Sequence, residues 1–108
     1  MTSQALWQND SVFKDQHSAI VTIAQPVSIL ARLVKHFQHK VTAERDGDNA
    51  LIIFAEGVCC MRATDTSLWM RCEANGQADL VAITDTMDRH LAGFLHDDSL
   101  NIQWQPVA

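Results

Sequence analysis

Hydrophobic positions along the chain switch between two periods. Ser18 to Ala24 is rich in β-branched residues and reads as a strand. Pro26 follows, its fixed φ suited to the first turn of a helix. Val27, Leu30, Leu33, Val34, Phe37 and Val41 then recur at helical spacing and predict a helix over Pro26–Lys40. Lys35, His36, His39 and Lys40 crowd its C-terminal end, where positive charge complements the helix dipole.

The middle of the chain predicts a meander. Val41–Asp46 runs into the turn signal Gly47-Asp48, and Ala50–Glu56 into Glu56-Gly57. Val58–Ala63 then leads to Asp65-Thr66, and Ser67–Glu73 closes the series. If the last two connections are two-residue hairpins, counting sets their registers. Around Asp65-Thr66, Ala63 faces Leu68, Met61 faces Met70 and Cys59 faces Cys72. Around Glu56-Gly57, Phe54 faces Cys59 and Ile52 faces Met61. Both counts put Ile52, Phe54, Cys59, Met61, Leu68, Met70 and Cys72 on one side, which is the expected core face.

Asn75-Gly76 ends the meander. Leu80, Ile83, Met87, Leu91 and Phe94 mark a second helix, about Ala78–Leu95. After the loop Asp97-Asp98-Ser99, Leu100–Val107 reads as a last strand with Ile102 and Trp104 on one face. The expected order is β-α-β-β-β-β-α-β: an α+β two-layer sandwich, a mostly antiparallel sheet with two helices on one face. Residues 1–17 are polar and without sustained period, an N-terminal arm that Trp7 and Phe13 could pin to a single domain over 18–108.

Composition narrows the function classes. The chain has 108 residues, 47% of them hydrophobic, enough for one core without metal or disulfide staples. A net charge of −5 argues against a surface that tracks phosphates, so no nucleic-acid partner is expected. No apolar run reaches membrane-spanning length, and the N-terminus lacks the pattern of a signal peptide. An odd count of three cysteines then suggests a cytoplasmic protein with free thiols. The chain holds no dinucleotide, P-loop or nucleophile-elbow motif.

Four segments carry a resemblance: His36-Phe37-Gln38-His39-Lys40, Gly57-Val58-Cys59, Asp88-Arg89-His90-Leu91 and Leu100-Asn101-Ile102-Gln103-Trp104. In this order and spacing, over about Ser18 to Trp104, the chain resembles the bacterial domain of unknown function family 2218. The resemblance implies a small cytoplasmic protein in the setting of flavin-dependent siderophore-interacting proteins that release iron. It implies a context and no reaction. Ser28-Ile29-Leu30 stands where members tend to have Arg-Tyr-Leu, and Val34 replaces a frequent cysteine, so any role of that tyrosine is absent here.

The histidines are the sharpest candidates for a site. His36 and His39 share a flank of the first helix with Arg32, and His90 lies in the apolar stripe of the second. Side-by-side helices would bring His36 or His39 to His90, with Asp88 nearby as a further ligand. The bland alternative is a buried, hydrogen-bonded His90 and two capping histidines. The cysteines lack paired C-x-x-C spacing and read as small apolar residues.

The sheet side away from the helices is expected to carry Leu51, Ile53, Cys60, Arg62, Trp69 and Arg71, with Arg62 opposite Trp69. An apolar patch there points to a homodimer interface, unless the arm covers it. Three functions follow. The first is a non-catalytic accessory domain that binds a ligand or partner, linked to iron and siderophore use, with a siderophore-interacting flavoprotein as a candidate partner. The second is a metal- or haem-binding protein using His36, His39 and His90. The third is a small enzyme with a histidine acid or base. No catalytic residue is assigned, and no cofactor is expected beyond a metal at the histidines.

Overall fold

A computed structural model describes residues 13–107. Eight elements follow the expected order: β1 (Asp15–Thr22), α1 (Pro26–Phe37), β2 (Thr42–Asp46), β3 (Asn49–Ile53), β4 (Gly57–Ala63), β5 (Ser67–Ala74), α2 (Gln77–Leu95) and β6 (Gln105–Pro106). The six strands form one sheet in the order β2-β3-β4-β5-β1-β6, antiparallel at every pairing. The meander β2-β3-β4-β5 makes four of the six strands, and β1 returns beside β5 to extend it.

Both helices pack on one face. α1 lies over β2, β3, β4 and β5, and α2 over β5, β1 and β4. Ile29, Leu30, Leu33, Val34 and Phe37 of α1, and Leu80, Ile83, Met87 and Leu91 of α2, meet Ile52, Cys59, Met61, Leu68, Met70 and Cys72 from the sheet in one core. Spacing of three and four along each helix puts these residues on a single stripe. Small residues at Ala43, Ala50, Ala63 and Ala74 on the same sheet face let the helices approach closely.

The β4–β5 register is the expected one: Cys59 faces Cys72, Met61 faces Met70 and Ala63 faces Leu68. The β3–β4 register differs by two residues, since Ile52 faces Cys59 and Ala50 faces Met61. The two-residue loop there is Ala55-Glu56, closed by the Phe54 N–H donating to the Gly57 carbonyl at 2.7 Å. A slip of two preserves side-chain parity, so the core face stays as expected although the partners change. Gly57 belongs to the strand and not to the turn. A Cβ there would lie 2.0 Å from the Glu73 carbonyl oxygen and 3.0 Å from Ile83 Cδ1 on α2. Its lack of a side chain serves close packing.

Other boundaries also move. α1 stops at Phe37 and not Lys40, because the Phe37 carbonyl accepts from the Lys40 and Val41 N–H groups and turns the chain toward β2. α2 begins at Gln77, after Gly76 at φ 131°, whose N–H donates to Asp15 Oδ2. β1 starts at Asp15, so the last residues assigned to the arm are strand, while residues 1–12, including Trp7, lie outside the described part. The final strand is two residues and not eight. Trp104 Nε1 donates to Asp88 Oδ1 at 2.8 Å, which draws the segment before β6 toward α2 and leaves only its end to pair with β1. Among the described residues no helix is long and apolar enough to cross a membrane.

Two glycine substitutions should separate packing from propensity. Gly57→Ala is expected to cost roughly 3 kcal/mol or more in urea unfolding, since strand β5 or Ile83 must move to admit the methyl group. Gly93→Ala, in α2 with nothing within 4 Å of the added atom, should stabilise by about 0.5–1 kcal/mol. Equal effects at the two sites would contradict the close approach at Gly57.

Candidate functional site

The two helices meet where α1 ends and the last turns of α2 pass. Between them opens a cleft of about 530 Å3 lined by Arg32, His36, Arg89, His90, Gly93, Phe94 and His96. Helical spacing explains the set. Arg32 and His36 are four apart on α1, and Arg89, Gly93 and His96 follow one flank at the end of α2. Gly93 leaves the floor of the cleft open between its larger neighbours. His96 closes α2 in a left-handed conformation at φ 53°, just beyond Leu95.

The rings make a compact cluster. The His36 and His90 ring centroids are 5.0 Å apart, and Phe37 lies 4.7 Å from His90. His36 meets Phe94 edge-on at 5.8 Å, and the Arg32 guanidinium carbon sits 4.9 Å from the Phe94 centroid, within cation–π range. His90 Nδ1 lies 2.7 Å from the Thr86 carbonyl oxygen. A carbonyl can only accept, so Nδ1 carries the proton and donates, which leaves Nε2 of a neutral ring as an acceptor, base or ligand atom. The His36 pKa is held below the ordinary histidine value, first by desolvation and then by His90, Lys40 and His39. Above a pH of about 6.5 this costs nothing, and acidification below it lowers stability by forcing charge onto the ring.

Of the three histidines expected to form a site, the structure brings His36 and His90 together. His39 is exposed and does not line the cleft; His96 takes the third place. Asp88, expected as a further ligand, is engaged by Trp104. Among the described residues no three metal-ligating side chains converge. Sequence reasoning missed His96 because it follows the last periodic residue of α2. The flank spacing of Arg89, Gly93 and His96 was the available signal. The lining holds no carboxylate, hydroxyl or thiol.

The outer sheet face also departs from expectation. Ile53, Arg62 and Trp69 are exposed and Leu51 half-buried, but Arg71 and Cys60 are buried at 6% and 5% exposure. Arg71 is paired there: its Nε donates to Glu73 Oε1 at 3.1 Å, with both side chains nearly dry. Arg62 does face Trp69 in the register. All three cysteines are free and buried. Burial pushes the Cys60 thiol up to about 12 and the Cys72 thiol well above its ordinary value, so both stay protonated and unreactive at neutral pH.

Residues 18–105 match the family described as an uncharacterized protein conserved in bacteria, DUF2218. The chain belongs to this family. Among curated proteins none matches it. The NMR structure of PA4090 from Pseudomonas aeruginosa is similar, with a TM-score of 0.76 and 23% identity over 85% of this chain and 96% of that one. That likeness establishes the α+β fold alone. In this DUF2218 domain the chemically distinctive groups lie in the inter-helix cleft and on the outer sheet face.

The tie between Trp104 and Asp88 yields a test. Desolvation raises the Asp88 pKa, with Asp85 adding to the shift and the Trp104 hydrogen bond opposing it. A carboxyl that holds its proton more tightly when folded costs stability once ionised, as pH rises through the carboxylate range. Asp88→Asn keeps an oxygen for the indole and removes the charge. It should raise Tm at pH 7 by roughly 1–3 °C, solvent screening keeping the gain small. The gain should vanish below pH ~3. A lower Tm at pH 7 would mean that the charged hydrogen bond outweighs desolvation.

Proposed function

We propose that this DUF2218 domain is a non-catalytic binding module whose inter-helix cleft takes a small organic anion with a flat apolar part. The observation that carries this reading is the lining itself. A chain of net charge −5 gathers two arginines and three histidines around one half-buried phenylalanine. The cleft volume lies in the range of small-molecule sites, about 300–1,000 Å3. Arg89 makes an exposed ion pair with Asp85 at 3.3 Å and donates to Thr86 Oγ1 at 3.5 Å, weak ties that leave it available to a ligand carboxylate. Phe94, already edged by His36 and faced by Arg32, offers a surface for stacking.

An aryl carboxylate or catecholate, free or as an iron chelate, has this chemistry. The iron and siderophore context implied by the family resemblance belongs to the same proposal. Binding is favoured over catalysis because the cleft offers a base at His90 but no nucleophile beside it.

2,3-Dihydroxybenzoate is a suitable probe, followed by NMR of the histidine and phenylalanine rings. It should shift His36, His90 and Phe94 while leaving the outer sheet face unchanged. Arg32→Ala and Arg89→Ala should each weaken binding about threefold to tenfold. Catechol, which lacks the carboxylate, should bind more weakly. Affinity should rise as pH falls below about 6.5, because an anion favours the imidazolium that His36 otherwise resists. No shift at millimolar probe, or shifts indifferent to both arginines, would sink the reading.

A further inference from the structure

Arg71, Glu73 and Cys60 lie on the sheet face opposite both helices, yet they are 6%, 4% and 5% exposed within a single chain. We propose that residues 1–12 of this chain dock across that outer face, over Cys60, Arg71 and Glu73. An ion pair on an open antiparallel face would keep its water, since desolvating two charges costs several kcal/mol per ion. This pair is already dry with one copy of the chain present, so a second copy is not needed to cover it.

An orphaned acceptor marks the same place. Gln16 faces Glu73 across β1 and β5, and its Oε1 is buried without a hydrogen-bond partner. Such an atom is met by the N–H or O–H of a neighbouring segment. The rim is apolar: Ile20 faces Trp69, Ile53 faces Val58, and Leu51 faces Cys60. Trp69, Ile20 and Ile53 remain 39–58% exposed at its corners.

Residues 1–12 fit this surface in reach and chemistry. The described chain begins at Phe13, and the Lys14 N–H donates to Asn75 Oδ1 just past the end of β5. Twelve residues span at most ~40 Å. Crossing from β1 to β3 takes only about 15 Å at the usual strand spacing. The segment carries Leu6, Trp7 and Val12 as apolar anchors and Asp10 as its one acid, with no Lys or Arg to repel Arg62 and Arg71.

Cys60 is a reporter for this docking, because Cys59 and Cys72 face the helices and report on global folding. In the full-length protein, iodoacetamide alkylation mapped by mass spectrometry should find Cys60 protected. In Leu6→Ala/Trp7→Ala, Cys60 should react about tenfold faster, while Cys59 and Cys72 stay protected. Equal Cys60 protection in both proteins would overturn the proposal, as would a Cys60 that reacts freely in the wild type. A wild-type dimer by sedimentation that Trp69→Glu dissociates, with Cys60 freed only then, would hand the face to a second copy. Should the double variant unfold, with all three thiols reacting together, the wild-type NMR spectrum decides. Nuclear Overhauser contacts from the Trp7 indole to Val58 or Leu51 support docking, and their absence overturns it.

Discussion

Gly57 lies so close to the Glu73 carbonyl that only hydrogen fits between them, and this contact fixes how β4 sits against β5. From it follow the facing pairs Cys59–Cys72, Met61–Met70 and Ala63–Leu68, and with them the whole inner face of the sheet. A slip of one residue would turn these side chains outward and put Arg71 and Glu73 under the helices. The same vacancy lets Ile83 rest directly on β4, which sets the height of α2 above the sheet. The helices therefore take their positions from a strand pairing, and the cleft takes its shape from the helices.

The cleft is a place where two helix flanks of ordinary surface character become a site by juxtaposition. Arg32 and His36 would be a solvated flank on α1 alone, as would Arg89 and His96 on α2. Brought within ring contact, His36 and His90 cannot both take a proton without mutual repulsion, which is one cause of the lowered His36 pKa. The Thr86 carbonyl settles which nitrogen of His90 holds the proton. Electrostatic character here comes from proximity and not from any single residue.

Much of the architecture was legible because side-chain parity survives errors of two. The β3–β4 hairpin was misread by one loop residue, yet Ile52, Cys59 and Met61 still fell on the core face. Gly57 misled because a glycine beside Glu56 looks like a turn, whereas the close approach that requires it lies in β5 and α2, distant in sequence. The long final strand was misread for a similar reason: Leu100, Ile102 and Trp104 alternate, but a hydrogen bond to Asp88 draws them toward a helix. The pairing of His36 with His90 was legible from two amphipathic stripes. The replacement of His39 by His96 was not, because it depends on where each helix ends. The burial of Arg71 was illegible too, since a charged residue at an outward position reads as solvated unless its partner Glu73, two residues on, is recognised.

The placement of β1 has a kinetic consequence. Strands β2 to β5 are joined by short loops and can zip from neighbouring segments, whereas β1 must find β5 across roughly half of the chain. The hydrogen bond from Gly76 to Asp15 alone links positions 61 residues apart. Loop closure over such distances is unfavourable until the pairing it permits has formed, so assembly of this sheet is governed by the arrival of its first strand. Until then β5 is an uncapped edge, and the half-built meander is the species most open to pairing with a neighbouring chain.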